Sequence, residues 1–228
     1  SLVPRWCGTS PAVKRVFQQF APMVAAAFLM SGTGVVSQSM AAMLGPGDVS
    51  ALSYGSKITS LILGIVALAV SSAVMPHFSR MAAMEDWSGL RHTLLTYSRW
   101  LLVGTLPVTV ALIYYSEPVV AIVFQRGAFS AEDTHLVGQI QAMYLLQVPL
   151  YVASIIFTRL ISALKANELF MWGNAINLSM CIVLTYVLMQ TFGILGVALA
   201  TSLMYCISAG YLIYFSLRRL KQLTVELG

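Results

Sequence analysis

The sequence predicts an all-α membrane protein, built as a six-transmembrane-helix bundle. Of its 228 residues, 58% are apolar and only 9% are charged, and the mean hydropathy is +0.82. A soluble domain of this length needs far more charge to cover its surface. The charged residues also avoid several long stretches, each of the length that crosses a bilayer as a helix. Composition and charge spacing therefore lead to the same fold class.

The clearest predicted span lies between residues 54 and 80. Residues 58–76 carry no charge. A helix of this length rises roughly 28 Å, about the thickness of the hydrocarbon core. Lys57 stands just before this run, and Arg80 follows it. The stretch is therefore interpreted as a helix that crosses the membrane and begins just beyond a lysine.

The remaining charge-free stretches supply five further spans. The first lies within residues 17–44, the third within 100–116 and the fourth between 134 and 159. Residues 169–217 form one uncharged run, which is too long for a single span. We expect this run to divide at residues 190–193 into a fifth and a sixth span.

Short polar segments connect these spans. Residues 45–48 (Gly-Pro-Gly-Asp) predict a tight turn, and residues 81–92 predict a polar loop. Residues 165–168 predict a short polar break. Ser130, followed three residues later by Asp133, predicts a capping box at the start of the fourth span.

The chain divides into three segments by charge and hydropathy. Residues 1–15 form a basic lead-in, residues 16–217 form the six-span lobe, and residues 218–228 form a basic tail. The chain begins at Ser1 without a signal peptide, and this abrupt start suggests a fragment of a longer chain.

The basic residues predict an orientation in the membrane. With the N-terminus in the cytoplasm, only Lys57 and Arg126 of the 13 lysines and arginines lie on the outer side, and the other eleven lie on the cytoplasmic side. An even number of spans returns the C-terminus to the cytoplasm. The net charge of +5 is therefore assigned to membrane topology, and no nucleic-acid partner is expected.

The sequence does not predict an enzyme. All eight acidic residues lie in loops, at span ends or in the tail, which argues against a proton relay within the membrane. The three histidines are dispersed, so they predict neither a metal site nor an activated nucleophile. The three cysteines have the spacing of neither a disulfide framework nor a metal site.

Two cations stand out as candidates for binding an anionic group. Lys57 either faces a water-filled cavity, where it would bind a group such as a pyrophosphate, or snorkels to the outer interface. Arg159 lies near the cytoplasmic end of the fourth span, where the simpler interpretation is again snorkelling. Gln147 is deep enough in the same span to line a polar cavity.

Polar residues on other spans have two interpretations as well. Asn174 and Asn177 are three residues apart and share one face of the fifth span. They either line a cavity or form hydrogen bonds to a neighbouring helix. Gln38 makes the first span less apolar than a lipid-facing helix needs, which indicates either a cavity or helix packing. Gly196 and Ala200 would let two helices approach closely.

Four stretches resemble motifs of one known family. They are residues 47–57 (GDVSALSYGSK), 74–80 (VMPHFSR), 124–134 (FQRGAFSAEDT) and 193–202 (GILGVALATS). In combination they resemble the MurJ/MviN family of lipid II flippases in the multidrug/oligosaccharidyl-lipid/polysaccharide (MOP) exporter superfamily. The resemblance covers spans seven to twelve of the family core, and it implies one lobe of a MATE/MOP-type transporter.

The resemblance implies a transport function in peptidoglycan biosynthesis. The lobe would help to move lipid II, a glycan linked to undecaprenyl pyrophosphate, across the bacterial cytoplasmic membrane by alternating access. The headgroup would occupy a cationic cavity between this lobe and a missing N-terminal lobe or a second copy. Lys57 falls where the family has a cavity arginine. The substrate-binding candidates are therefore Lys57, Arg159, Gln147, Asn174, Asn177 and Gln38.

The resemblance also suggests an ion site. The position of the family's sodium site in its eleventh span corresponds to Thr185, with Thr201 in the next span. A sodium ion or the membrane potential would then drive transport, with no other cofactor. Two alternatives stay open at this point: a flippase for another undecaprenyl-pyrophosphate-linked polysaccharide, and a non-transporting, half-length membrane scaffold.

Overall fold

The computed structural model describes residues 11–164 and 167–226, and the all-α prediction is confirmed: these residues form helices joined by short connections, without a strand. The helices are α1 (Pro11–Ala42), α2 (Asp48–Ala83), α3 (Trp87–Tyr114), α4 (Ser116–Phe124), α5 (Ala131–Leu145), α6 (Val148–Ala163) and α7 (Asn167–Glu226).

Helix α7 contains the predicted division between the fifth and sixth spans. Its apolar part, Met171–Gln222, has 52 residues. If straight it would measure roughly 78 Å, more than twice the hydrocarbon thickness. Gly193 breaks it with a φ of 56° and a ψ of −133°, a backbone conformation that favours glycine. The five long apolar stretches therefore cross the membrane six times, because α7 crosses it twice.

The turn at Gly193 is tight enough to require a second glycine. A Cβ added at Gly196 would collide with the backbone carbonyl of Leu188, and it would lie 3.0 Å from the backbone nitrogen of Met189. The two arms of α7, residues 167–192 and 194–226, therefore meet backbone to backbone at this corner. The close approach predicted for Gly196 occurs here.

The broken fourth span is the central element of the bundle. In its most apolar window 72% of the residues are buried, against 17% in α2 and 11% in α3. The span is divided into α5 and α6 at Leu146 and Gln147. Pro149 explains the break, because it lacks an N–H donor and its ring would clash with the carbonyl of Leu145 in a continuous helix.

Two core clusters mark the two ends of the bundle. One cluster contains Leu52, Ile140, Tyr144, Met189 and Val197. It lies near the turns at Gly47 and Gly193, and we call this the Gly47 end. The other cluster defines the Asp86 end, and its buried members are Val74, Phe78, Leu90, Leu94, Ile156, Phe157, Leu160, Ile161, Leu212 and Leu220.

The outer surface of the lobe is apolar, as a bilayer requires. Five large apolar side chains on α1, α2 and α4 are between 67% and 76% exposed: Phe28, Leu61, Ile65, Leu68 and Ile122. Exposure of so wide an apolar surface to water would cost free energy. Contact with lipid or with a second apolar surface avoids this cost. The chain is therefore a multi-pass membrane protein.

The predicted polar loop at residues 81–92 is wrong. Helix α2 continues to Ala83 and α3 already begins at Trp87, so the connection is only Met84–Asp86. The Asp86 carboxylate caps α3 by accepting a hydrogen bond from the backbone N–H of Gly89 at 2.9 Å. Hydropathy detects the part of a helix within the membrane, and both helices extend beyond that part.

Two other local predictions are confirmed. The turn before α2 has Gly47 at a φ of 98°. Ser130 and Asp133 form the predicted capping box at the start of α5. Helix α7 continues through the basic tail as far as Glu226, and α1 begins at Pro11. Residues 165 and 166 of the predicted break lie outside the described residues, as do residues 1–10 of the basic lead-in. Asn167 and Glu168 already belong to α7, so the prediction of a break is wrong for these two residues.

Gly55 allows α2 to pack against α5, and its replacement tests this packing. A Cβ at this position would lie 2.9 Å from the Cβ of Ile140 and 3.3 Å from the backbone nitrogen of Gln141. We expect Gly55→Ala to lower the free energy of unfolding by about 1–3 kcal/mol, the usual cost of overpacking. Thermal unfolding in detergent measures the change. Gly64→Ala is the matched control, because a Cβ at Gly64 meets open space. Equal midpoints for the two variants would contradict the packing.

Candidate functional site

Polar side chains within the bundle line two neighbouring cavities. We call the first the glutamine cavity; it has a volume of about 240 Å³ and lies toward the Gly47 end. It lies between α1, α2, the α5–α6 break and both arms of α7, and its polar lining includes Gln38, Ser53, Ser56, Tyr144, Gln147 and Thr201.

The second cavity, which we call the arginine cavity, has a volume of about 380 Å³ and lies toward the Asp86 end. Arg159 is the cation in its lining, and its other polar members include Tyr151, Ser154, Thr158, Asn174 and Asn177. The two cavities share Thr33, Met204 and Tyr205 as lining residues. They are therefore adjacent compartments of one polar region.

Five of the six predicted substrate-binding residues line these cavities. Gln38 and Gln147 line the glutamine cavity, whereas Arg159, Asn174 and Asn177 line the arginine cavity. The structure therefore brings together residues from α1, α6, the α5–α6 break and α7. Lys57 lines neither cavity.

Lys57 projects from the exposed surface of α2 beside the glutamine cavity. Its Nζ lies 4.3 Å from the centre of the Tyr54 ring, a cation–π contact. The Tyr54 ring packs edge-on against Phe124 and Phe129, so two separate segments hold it. Ser53 and Ser60 both line the glutamine cavity and stand four residues before and three after Lys57 on the same helix face. The lysine therefore lies next to the lining residues of this cavity on α2, with its ammonium against Tyr54 and outside the lining.

Arg159 is anchored to a different helix. Its Nε donates a hydrogen bond of 2.8 Å to the Oγ of Ser71 on α2. Ser71 lies within the uncharged run of α2, residues 58–76. A snorkelling side chain would instead extend toward the end of the bundle. The geometry therefore favours a guanidinium that faces the cavity.

Asn177 both forms a hydrogen bond to a neighbouring helix and lines a cavity, the two roles that its sequence position left open. Its Nδ2 donates a hydrogen bond of 3.0 Å to the Oγ of Ser208, which joins the two arms of α7. Its Oδ1 is buried without a hydrogen-bond partner among the described residues, and the side chain also lines the arginine cavity. Asn174 lines the same cavity and is buried.

The two threonines suggested for sodium lie around the glutamine cavity. Thr201 lines it directly, and its hydroxyl donates to the backbone carbonyl of Val197 at 3.2 Å. Thr185 is fully buried, with its Oγ1 3.8 Å from the Sγ of Cys181, another lining residue. Sodium binding by these hydroxyls stays a prediction.

Sequence reasoning missed several residues of the site. Ser154, Thr158 and Ser162 are spaced four apart, so they form a row of hydroxyls along one face of α6. This spacing was visible in the sequence, but serine and threonine are common in membrane helices for packing reasons alone. Ser71 gave no sequence signal, since its importance comes from contact with Arg159.

Comparison with solved structures defines the fold. The structure described as lipid II flippase MurJ in its inward closed conformation superposes with a TM-score of 0.78 at 24% identity, over 96% of this chain and 48% of that one. The Vibrio cholerae MATE transporter VcmN in its bent form gives 0.77 at 16% identity, over 99% and 50%. The fold is therefore that of one half of a MATE/MOP-type transporter.

Sequence comparison identifies the family. The family model described as lipid II flippase MurJ matches residues 1–227. A lipid II flippase MurJ from Thermosipho africanus is 30% identical over 164 residues, which are 72% of this chain and 33% of that protein. A probable lipid II flippase MurJ from Synechocystis is 26% identical over 218 residues, or 94% and 40%. This chain belongs to the MurJ family.

The chain spans less than half the length of these curated relatives. A third relative, the probable lipid II flippase MurJ of Rhizobium meliloti, is 37% identical over 109 residues, which are 46% of this chain and 20% of that protein. The family is one of transporters.

Thiol labelling tests whether the glutamine cavity contains water. In protein whose native cysteines are replaced by serine, we expect a polar maleimide to modify Ser56→Cys about tenfold faster than Ile65→Cys, because only the thiolate reacts and it forms poorly in an apolar environment. Ser56 lines the cavity, whereas Ile65 is exposed on the apolar outer surface of the same helix. Equal rates would contradict a hydrated cavity.

Proposed function

We propose that this chain is the C-terminal lobe of a flippase for lipid II, working with a second six-span lobe. Membership of the MurJ family is the observation that carries this proposal. The structure supports it with a polar region of two cavities, bordered by Lys57 and lined by Arg159, inside an apolar bundle. Such a region suits a headgroup that bears both pyrophosphate and sugar hydroxyls, because cations bind the first and amides or hydroxyls bind the second.

In the proposed mechanism the two lobes alternate between inward-open and outward-open arrangements around the headgroup. Lys57, next to the glutamine cavity, would attract the pyrophosphate and release it as the lobes rearrange. A lysine suits a transient contact, since its ammonium is a point charge without the bidentate fork of arginine. While no pyrophosphate is bound, the cation–π contact with Tyr54 would hold the ammonium in position.

We further propose that both termini lie in the cytoplasm, within the bacterial cytoplasmic membrane. This orientation puts the Gly47 end and the glutamine cavity toward the outside, and the arginine cavity toward the cytoplasm. The unequal distribution of lysine and arginine between the two ends supports it.

Labelling of intact cells checks the orientation. In protein without other cysteines, we expect a membrane-impermeant maleimide to label Arg126→Cys in the loop before α5, and to label Arg91→Cys near the start of α3 only after the cells are opened. Both native side chains are exposed, so burial does not protect either position. Labelling of Arg91→Cys alone in intact cells would show that the topology is the reverse of the proposed one.

Replacement of Lys57 tests the proposed function directly. We expect Lys57→Ala in the intact transporter to reduce lipid II flipping in proteoliposomes by about 10-fold or more, the scale of a lost charge-assisted contact. Lys57→Arg should keep most activity, since it keeps the charge.

Arg126→Ala is the matched control, because it removes the other predicted outer cation from a loop. It should flip lipid II at the wild-type rate. Normal flipping by Lys57→Ala would show that the cation is dispensable. Absence of flipping by the wild-type protein, reconstituted with its partner lobe, would contradict the proposed function itself.

We propose a sodium ion as a coupling ion, with Thr185 and Thr201 as oxygen ligands. Hydroxyl and carbonyl oxygens suit a hard cation, and both threonines lie around the glutamine cavity. The same proteoliposome assay examines this point when sodium is exchanged for choline. Flipping that is unchanged without sodium would favour the membrane potential as the driving force.

A further inference from the structure

We infer that the arginine cavity is a second station for the headgroup, where Arg159 binds the pyrophosphate and the row of hydroxyls on α6 contacts the adjoining sugar. This inference rests on the proposed function and adds a site on the opposite side of the polar region from Lys57. Four observations on Arg159 and its neighbours carry it.

The first observation is the way Arg159 is held. Ser71 accepts the hydrogen bond from Nε, and among the described residues no other group accepts one from this guanidinium. The bond fixes the plane of the guanidinium and leaves its two terminal nitrogens unengaged. Those nitrogens are the pair that binds two phosphate oxygens at once. Ser71 therefore acts as a positioning residue for a bidentate contact.

The second observation is that the described residues of this lobe offer Arg159 no carboxylate. Within the described part of the chain the one ion pair joins His135 and Glu117, which lie toward the Gly47 end. A partly buried guanidinium within a membrane bundle is costly unless an anion compensates it. The side chains around Arg159 in the cavity are alcohols, amides, tyrosines and apolar groups. An anionic ligand would supply the compensation that these side chains do not.

The third observation is the hydrogen bonding of the hydroxyl row. Ser154 donates to the carbonyl of Tyr151 at 2.7 Å, Thr158 donates to that of Ser154 at 2.9 Å, and Ser162 donates to that of Thr158 at 3.0 Å. Each hydroxyl has therefore used its proton on its own helix, and its oxygen remains as an acceptor. A row of acceptors matches the hydroxyl donors of a sugar.

The fourth observation is the opposite wall of the cavity. The buried Oδ1 of Asn177 has no partner, because the amide group is oriented by its hydrogen bond to Ser208. A buried acceptor without a donor is costly, so Asn177 would be stabilised if its amide turned this oxygen toward a ligand hydroxyl in the cavity that the residue lines. The volume of about 380 Å³ falls within the range of small-molecule sites, about 300–1,000 Å³.

Protection of an engineered cysteine tests the station locally. Ser162→Cys stands one helical turn beyond Thr158 in the arginine cavity. In the intact transporter, with other cysteines replaced, we expect lipid II to slow its modification by a polar maleimide. Adding Arg159→Ala should raise the lipid II concentration needed for half-protection about 10- to 100-fold, as expected when a charge-assisted pair is lost. The concentration for Arg159→Lys should fall between these two values, because lysine keeps the charge and lacks the bidentate fork of the guanidinium.

Three controls separate binding from folding and from nearby charge. Ser71→Ala should weaken protection because it removes the hydroxyl that accepts from Arg159, whereas Ser71→Thr keeps a hydroxyl and should protect like the wild type. A general loss of stability would not follow the hydroxyl in this way. Arg91→Ala removes an exposed cation of α3 and should change nothing. Ser154→Cys serves as a second reporter if Ser162→Cys fails to fold.

The choice of probe identifies the source of the phosphate. Inorganic pyrophosphate should protect more weakly than lipid II, because it lacks the sugar. Equal protection by pyrophosphate would overturn the sugar contacts, and equal protection by phosphatidylglycerol would overturn a site for pyrophosphate. Unchanged protection by lipid II in Arg159→Ala, with wild-type protein still flipping it, would overturn this inference and leave the proposed function intact. Failure of the wild type to flip, with protection by lipid II still weakened in Arg159→Ala, would contradict the proposed function and leave the binding site.

Discussion

The structure depends on one constraint: within hydrocarbon, each polar group needs a partner inside the protein. Helices satisfy this need for the backbone, so the described chain consists of helices with short connections. Polar side chains satisfy it by gathering between helices, which produces the glutamine and arginine cavities. The apolar side chains are left for the outer surface, where Ile65 and Leu68 are largely exposed.

The same constraint explains why the two helix breaks lie where they do. Gly193 turns α7 back at the Gly47 end, beside the connection between α1 and α2. The break at Leu146 and Gln147 instead lies within the bundle, where an interrupted helix must be buried in protein or line a cavity. Gln147 does line the glutamine cavity. The break caused by Pro149 thus helps to form the polar region, and the cavities lie on either side of Tyr205, which both share.

Sequence reasoning predicted the features that depend on neighbouring residues. The division at Gly193, the turn at Gly47 and the capping box of Ser130 each follow from a few consecutive residues. The false loop at 81–92 arose because hydropathy does not show where a helix ends outside the membrane. Sequence reasoning did not predict contacts between distant segments. Ser71 and Arg159 are 88 positions apart, and no periodicity in the sequence shows that they are in contact.

In the proposed function this lobe recognises a pyrophosphate-linked glycan through cations beside a polar region. Native mass spectrometry of the intact transporter with lipid II, and with a different undecaprenyl-pyrophosphate glycan, tests it most directly. Selective binding of lipid II that is weakened in Lys57→Ala is the predicted result. Equal binding of both lipids would contradict lipid II specificity, and binding of neither would contradict the claim as a whole.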